Sequence, residues 1–231
     1  PRTHMSMGQH CEVMVKEWGI TREAQDELAY LSHKNGAAAY EAGFLNDMLV
    51  PFAGVTRDNN LRGDTTFQKL STLKPAFDRS PAGTITAGNA TPLTDGASSV
   101  LLASEEWAKA NNLPILAYLT FSHVAAVDFV RKKEGLLMAP AYAVPPMLAR
   151  AGLSLQDFDF YEIHEAFAGQ VLCTLKAWED KNFCQNRLGL DAPLGSIDRS
   201  KLNIKGSSLA FGHPFAATGA RIVHTLAKLL D

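Results

Sequence analysis

The sequence predicts an α/β fold in which helices cover a mixed sheet, preceded by a mostly helical segment. Residues 1–82 contain two helical patterns joined by long polar connections. From Thr84 onward, short apolar runs alternate with segments of helical length, which is typical of α/β sheets. The chain has 231 residues, enough to bury a substantial core.

Helical patterns dominate the first part of the chain. We predict helices over 11–18 and 21–43, because Thr21 can cap the second helix and Gly43 can end it. The short piece 50–55 is predicted to be extended, and 58–66 to be a polar loop. A helical turn is expected at 67–73, ending before Pro75.

Strands and helices alternate in the rest of the chain. Apolar runs predict strands at 84–89, 97–103, 114–124 and 158–163. Helices are expected after the capping residue Ser104 and over 145–151, 166–178 and 218–230, with Gly152 ending the second of these.

Composition and charge exclude several classes of function. The net charge of −2 gives no basic surface for nucleic acid. The longest apolar run, 135–144, is interrupted by Pro140 and is shorter than the roughly 20 residues of a membrane span. Three cysteines without a C-x-x-C pair indicate a reducing compartment, so we expect a cytoplasmic protein, or one of the mitochondrial matrix in a eukaryote. No histidine or cysteine spacing predicts a metal site.

The first candidate for chemistry is His164, in the segment 163–168. It is placed where a predicted strand ends and a helix begins, and α/β sheets bind ligands at such junctions. Ala166 and Ala168 would let another group approach closely. The alternative is a structural histidine that caps the helix, and the residues alone leave both open.

The second candidate is His213, within the Gly-, Ser- and Ala-rich segment 206–221. Small neighbours keep its imidazole accessible, and a neutral imidazole can accept a proton from a thiol or hydroxyl near pH 7. The alternative is a Gly-rich turn with a structural histidine. No phosphate-binding glycine loop and no G-x-S-x-G elbow is present.

Five ordered motifs resemble those of the thiolases. The first is SMG at 6–8 together with TREAQDE at 21–27 and Ser32-His33. The others are LSTLKPAF at 70–77, TITAGNATPLTDGA at 84–97, HEAFA at 164–168 and GHPFAATGAR at 212–221. The HEAF form resembles the fatty-acid-oxidation branch, which acts on longer acyl chains beside a multifunctional partner. The resemblance implies a loop domain at 1–82, a closing segment of the N-terminal half at 83–112 and a truncated C-terminal domain at 113–231.

The resemblance also implies roles for individual residues. His213 would activate a nucleophilic cysteine, and His164 would help to hold the oxyanion site. Contacts to coenzyme A and the acyl chain carry over to Arg62, Lys69, Leu73, Phe77, Ala87, Thr91, Met7, Ala166 and Phe167. Coenzyme A is then a substrate, no cofactor is expected, and the implied reaction is cleavage of 3-ketoacyl-CoA to acetyl-CoA and a shortened acyl-CoA.

Both catalytic cysteines of the family lack a counterpart in this chain. Cys11, Cys173 and Cys184 match neither position, so we expect a fragment that is inactive alone and that associates with itself or with a multifunctional β-oxidation subunit. A noncatalytic acyl-CoA-binding or assembly piece and a biosynthetic acetoacetyl-CoA thiolase stay open as alternatives. A ketoacyl synthase fits less well, because it lacks the SMG and LKPAF motifs.

Overall fold

Short and medium helices make up most of the regular structure. The computed structural model describes residues 3–132 and 134–231. Within these ranges the helices are α1 (Met7–Glu17), α2 (Arg22–Glu41), α3 (Phe67–Ser71), α4 (Glu105–Ala110), α5 (Ala139–Ala151), α6 (Ala168–Glu179), α7 (Lys181–Asn186), α8 (Ser208–Phe211) and α9 (Ala216–Leu230). Single 3₁₀ turns lie at Leu155–Asp157 and Arg199–Lys201.

Side-chain caps fix where the first helices begin. Ser6 caps α1 in a reciprocal capping box with Gln9, so this helix starts earlier than the apolar pattern predicted. Thr21 caps α2 through the Ala24 amide, as predicted. Ser104 likewise caps α4, whose first turn contains two glutamates.

The prediction that a helix starts at Pro145 is wrong, because α5 begins six residues earlier at Ala139. Proline inside a helix removes the hydrogen bond to the carbonyl four residues before it. For Pro145 that carbonyl belongs to Ala141, and the indole Nε1 of Trp178 donates to it at 3.4 Å. A side chain from α6 therefore replaces the lost bond. Gly152 ends the helix in the left-handed conformation, as predicted.

Helix α6 is the centre of the core. It packs against α1, α2, α5 and α7, and buries Val171, Leu172, Leu175 and Trp178. Gly169 permits the close approach of α1, since a Cβ there would lie 2.3 Å from Val15 Cγ1. A second apolar cluster joins α1 to Ile85 and α5. The core thus ties the predicted loop domain to the C-terminal part of the chain.

The four predicted strands do not form ladders in the part of the chain that the structure describes. Pairing there is limited to isolated bridges, including Pro75 with Thr86 and Tyr161 with Leu202. The segments 97–103 and 114–124 have no regular secondary structure and no backbone partner among the described residues, and they expose large apolar side chains such as Leu102, Leu119 and Val124. A strand needs a second backbone, and neither segment meets one here.

None of the helices in the described ranges is long and apolar enough to cross a membrane.

Candidate active site

The segment that carries His164 is held against residues 202–203. Tyr161 forms a parallel bridge with Leu202. The side chain of Asn203 then replaces further strand pairing, because its Oδ1 accepts from the Ile163 amide at 2.8 Å and its Nδ2 donates to the Ile163 carbonyl at 2.9 Å. His164 therefore follows directly after Ile163, whose backbone groups are both hydrogen-bonded, and lies three residues beyond the bridge at Tyr161.

A buried carboxylate follows His164 directly. Glu165 is 1% exposed and accepts hydrogen bonds from Ser32 Oγ at 2.7 Å, Asn203 Nδ2 at 2.8 Å and the Leu209 amide at 3.1 Å. Burial raises its pKa, and the three donors oppose that shift. This carboxylate joins α2, the His164 segment and α8 at one point.

His213 is positioned by a tight turn that only glycine allows. Gly212 has φ +91°, and a Cβ there would lie 2.4 Å from Thr94 Cγ2. The His213 amide donates to the Pro92 carbonyl at 3.0 Å, next to the bridge between Leu93 and His213. Segment 92–94 thus fixes the backbone on which this imidazole is carried.

Residues 89–91 connect the two histidine segments. The Thr91 amide donates to the Ala166 carbonyl at 3.0 Å, and Thr91 Oγ1 donates to the Ser208 carbonyl at 2.6 Å. Ala90 bridges Phe167 on the same side. The predicted binding residues Thr91, Ala166 and Phe167 therefore lie beside both imidazoles.

The two predicted catalytic histidines are brought together. Their ring centroids are 4.3 Å apart, with the planes inclined at 42°. Each ring is hydrogen-bonded through Nδ1. The Nδ1 atom of His164 lies 2.7 Å from Ser208 Oγ, and the Nδ1 atom of His213 lies 2.7 Å from Thr218 Oγ1. In both rings Nε2 makes no hydrogen bond to the described residues and is left for a ligand.

Both imidazoles are held in the neutral form at pH 7. Burial is the main cause, and it lowers the pKa of His164 to about 4, with further contributions from His213 and Arg221. The pKa of His213 is also lowered, first by burial and then by the Arg221 charge. A neutral imidazole can accept a proton at one nitrogen and donate a hydrogen bond from the other.

The residues predicted to border the acyl chain form a second small group. The rings of Phe77 and Phe167 meet edge to face at 5.7 Å. Gly8 packs under Phe77, where a Cβ would lie 2.3 Å from the ring, so Met7 is at the same edge and is 51% exposed. Met7 is exposed and Phe77 is half-buried, whereas Phe167 is buried at 8% exposure and supports the ring of Phe77 from below.

The other predicted contacts with coenzyme A lie further along the surface. Leu73 reaches Gly88, so it lies near Ala87, and both are exposed. The Arg62 amide donates to His33 Nδ1 at 3.2 Å, and its guanidinium donates to the Asn59 carbonyl at 2.7 Å. Lys69 is paired with Asp64 at 2.9 Å on the surface. In the described part of the chain, neither the guanidinium of Arg62 nor the ammonium of Lys69 contacts His164 or His213.

The cysteines of the chain are all free and buried at 0% exposure. Burial raises the pKa of Cys11 and raises that of Cys173 to about 12. A thiol in such surroundings is not a reactive nucleophile.

No group of three histidine, cysteine, aspartate or glutamate side chains in residues 3–132 and 134–231 is arranged to hold a metal ion. A cleft of about 340 Å³ lies between α2 and 199–203, and the polar residues Glu165, Ser32 and Asn203 are among those that line it. None of the predicted site residues lines that cleft.

Sequence reasoning missed the residues that anchor the two rings. Ser208, Thr218 and Arg221 were not predicted as site residues, although the last two are part of the GHPFAATGAR motif. Polar side chains at helical spacing after His213 were the available signal, because Thr218 and Arg221 lie on successive turns of α9. Nothing local indicates that Ser208 contacts His164, 44 positions away.

Two family models match this chain. The family model described as "Thiolase, N-terminal domain" matches residues 2–106, and that described as "Thiolase, C-terminal domain" matches residues 113–231. A 3-ketoacyl-CoA thiolase of Pectobacterium atrosepticum is 48% identical over 227 residues, covering 96% of this chain and 51% of the relative. One from Yersinia pestis is 44% identical over the same coverage. The chain spans about half the length of the relatives it matches.

Solved structures give the same result. Acetyl-CoA acetyltransferase of Bacillus anthracis has a TM-score of 0.79 at 36% identity, with 98% of this chain and 54% of that chain covered. Human mitochondrial 3-ketoacyl-CoA thiolase in complex with CoA has a TM-score of 0.76 at 30% identity, covering 97% of this chain and 52% of that chain. The fold is shared with these acyl-transferring enzymes. Within that class, the chain belongs to the thiolase family.

Proposed function

We propose that this chain supplies the paired imidazoles of a 3-ketoacyl-CoA thiolase, which cleaves 3-ketoacyl-CoA with CoA to acetyl-CoA and a shortened acyl-CoA. The observation that carries the proposal is the contact of His164 and His213 at 4.3 Å, with both Nε2 atoms left for a ligand. His213 accepts the proton of the attacking thiol, and His164 donates to the developing oxyanion.

The nucleophile comes from outside these 231 residues, because all three cysteines are buried away from solvent. We therefore propose that the chain alone does not catalyse thiolysis. Its expected ligands are CoA and acyl-CoA, which act as substrates rather than as cofactors. The acyl chain lies along Met7, Phe77 and Phe167, and the CoA moiety extends past Thr91, Leu73 and Ala87 towards Arg62 and Lys69.

Further proposals concern assembly and location. Large apolar side chains are exposed along 97–124, including Leu101, Tyr118 and Leu119, which supports association with a second copy or with a multifunctional β-oxidation subunit. The high identity to bacterial 3-ketoacyl-CoA thiolases supports a role in fatty-acid degradation and a cytoplasmic location. The similarity to the Bacillus anthracis acetyl-CoA acetyltransferase keeps a short-chain acetoacetyl-CoA thiolase as the second candidate.

The decisive experiment places this chain in a complete thiolase. The matching 227-residue segment of the Pectobacterium atrosepticum relative is replaced by the corresponding part of this chain. Thiolysis is followed by the loss of enolate absorbance on 3-ketoacyl-CoA substrates of increasing length. We expect turnover by the chimera, and a loss of roughly 10²–10⁴-fold for His213→Ala, because a general base is removed.

His224→Ala is the matched control, since this histidine is on α9, the helix that follows His213, and has no contact with the imidazole pair among the described residues. It should retain the activity of the chimera. A folded chimera that binds CoA but fails to cleave any chain length would refute the proposal, and turnover of acetoacetyl-CoA alone would favour the short-chain alternative.

A further inference from the structure

One buried hydroxyl lies between a histidine and an arginine. Ser208 is 0% exposed, and its Oγ is 2.7 Å from His164 Nδ1 and 2.7 Å from Arg221 Nη2. These are the two hydrogen bonds that this oxygen makes among the described residues. Thr91 donates to the backbone carbonyl of Ser208, so it leaves the hydroxyl free for the other two groups.

The direction of both bonds follows from the donors available. A guanidinium only donates, so Ser208 Oγ accepts from Arg221. The hydroxyl has one proton, and in this buried position its acceptor is His164 Nδ1. In the reverse arrangement a protonated Nδ1 would donate to Oγ, and the serine proton would have no partner. Buried polar hydrogens without a partner are rare in folded proteins.

Arg221 is fixed well enough to impose this direction. Its Nη1 donates to the Gly212 carbonyl at 2.9 Å, and its guanidinium lies 5.8 Å from the centre of the Phe211 ring. Burial lowers the pKa of Arg221, and the charges of Asp58, Glu165 and Glu162 oppose that shift. The arginine therefore cannot turn away from Ser208 without losing the carbonyl contact.

We propose that Arg221 and Ser208 are positioning residues that hold His164 in the tautomer protonated at Nε2. The ring then presents an N–H donor to the ligand side and keeps its lone pair on the serine side. Its catalytic value, a hydrogen bond to an oxyanion, depends on the proposed function, whereas the tautomer itself does not. The lowered pKa of His164 supports the neutral ring that this arrangement needs.

His213 provides the internal comparison. Its Nδ1 meets Thr218 Oγ1, and no arginine donates to that hydroxyl in the described part of the chain. The threonine can therefore act as donor or acceptor, and this ring is not restricted by the same argument. A proton-accepting His213 requires the opposite tautomer, with Nδ1 protonated and Nε2 bare.

The test is a long-range proton–nitrogen correlation spectrum of the histidine-labelled chain above pH 7, with His164 assigned through His164→Gln. We expect His164 to show a protonated Nε2 and a bare, hydrogen-bonded Nδ1. A protonated Nδ1 in the unchanged protein would overturn the inference without any variant. The spectrum requires no turnover, so an inactive chimera would defeat the proposed function and leave this result intact.

Two variants assign the effect to its cause. Arg221→Met removes the donors and leaves a shorter side chain, so a water can take the place of the guanidinium and accept the Ser208 proton. Ser208 can then accept from a protonated Nδ1, and the share of that tautomer should rise several-fold. Thr218→Ala should change the His213 signals and leave the His164 ratio as it was. An unchanged His164 ratio in a folded Arg221→Met protein would contradict the role of the arginine.

Discussion

The segments 158–163 and 114–124 were both predicted to be strands, but they have opposite environments. In the first, Ile163 is held at its amide and carbonyl by Asn203, and Tyr161 bridges Leu202. In the second, described residues provide no backbone partner, and Leu119 and Val124 are 70% and 91% exposed. The comparison teaches that an apolar run alone does not make a strand, and that a backbone partner decides whether the run becomes part of the core.

Hydrogen exchange gives the largest expected difference between packed and unpartnered segments. Amides of 114–124 lack internal acceptors and should exchange close to the rate of an unfolded chain. Those in the middle of α6 should be slower by about a thousandfold or more, since they open only with the core. Mass-spectrometric exchange of peptides from both regions measures this. Protection of 114–124 would show that it has found a partner.

Two tryptophans test the same contrast through stability. Trp178 is 4% exposed and donates to the Ala141 carbonyl, so Trp178→Ala should lower the free energy of unfolding by about 3–5 kcal/mol. Trp107 is 48% exposed on α4, and Trp107→Ala should change the free energy of unfolding by less than about 1 kcal/mol. Urea denaturation followed by circular dichroism compares them. Equal losses would mean that α4 is packed as tightly as α6.

The protonation of Glu162 makes the stability of the folded state depend on pH. Burial, followed by the charge of Glu165, raises the pKa of Glu162 from 4.5 to about 8. The folded state therefore keeps a proton that the unfolded state releases, so this contribution to stability is complete below pH 4.5 and is lost as pH rises towards 8. Glu162→Gln should gain about 1–2 kcal/mol relative to the parent across this interval, because the group is partly exposed.

The measurement is the free energy of unfolding of both proteins at several pH values between 5 and about 8. Parallel curves for parent and variant would show that Glu162 titrates alike in the folded and unfolded states.

Phe215 gives the smallest expected effect. Its backbone has φ 36° and ψ −103°, a conformation costly for any residue with a Cβ, and its ring is 67% exposed. Phe215→Gly should raise the free energy of unfolding by about 0.5–1 kcal/mol, the strain relieved less the entropy cost of glycine. Phe215→Ala keeps the Cβ and is the control, which should show no gain in the denaturation midpoint.

Several features of the fold could be predicted from local sequence signals. Caps at Thr21 and Ser104 and the left-handed Gly152 were predicted because each depends on neighbours within a few positions. The start of α5 was missed because the carbonyl freed by Pro145 finds its donor on a distant tryptophan. The strands at 97–103 and 114–124 were predicted from pattern alone, which contains no information on whether a second backbone is present.

The site shows the same limit. His164 and His213 could be proposed from their junctions and motifs, and the structure brings them together. The contacts of Ser208 with His164 and with Arg221 could not be predicted from the sequence, because they span 44 and 13 positions and depend on tertiary packing. The assigned roles of Arg62, Lys69 and the other binding residues stay predictions.

The hydrogen bonds of Glu165 have a consequence for the order of folding. The Ser32 hydroxyl donates to this carboxylate across 133 positions of sequence, and the Ser207 amide donates to that hydroxyl across 175. Loops of this length close slowly compared with a helical turn, so such contacts form after the helices that carry them. We therefore expect the imidazole pair to form late in folding, once the segments around Ser32 and Ser207 have met at this buried carboxylate.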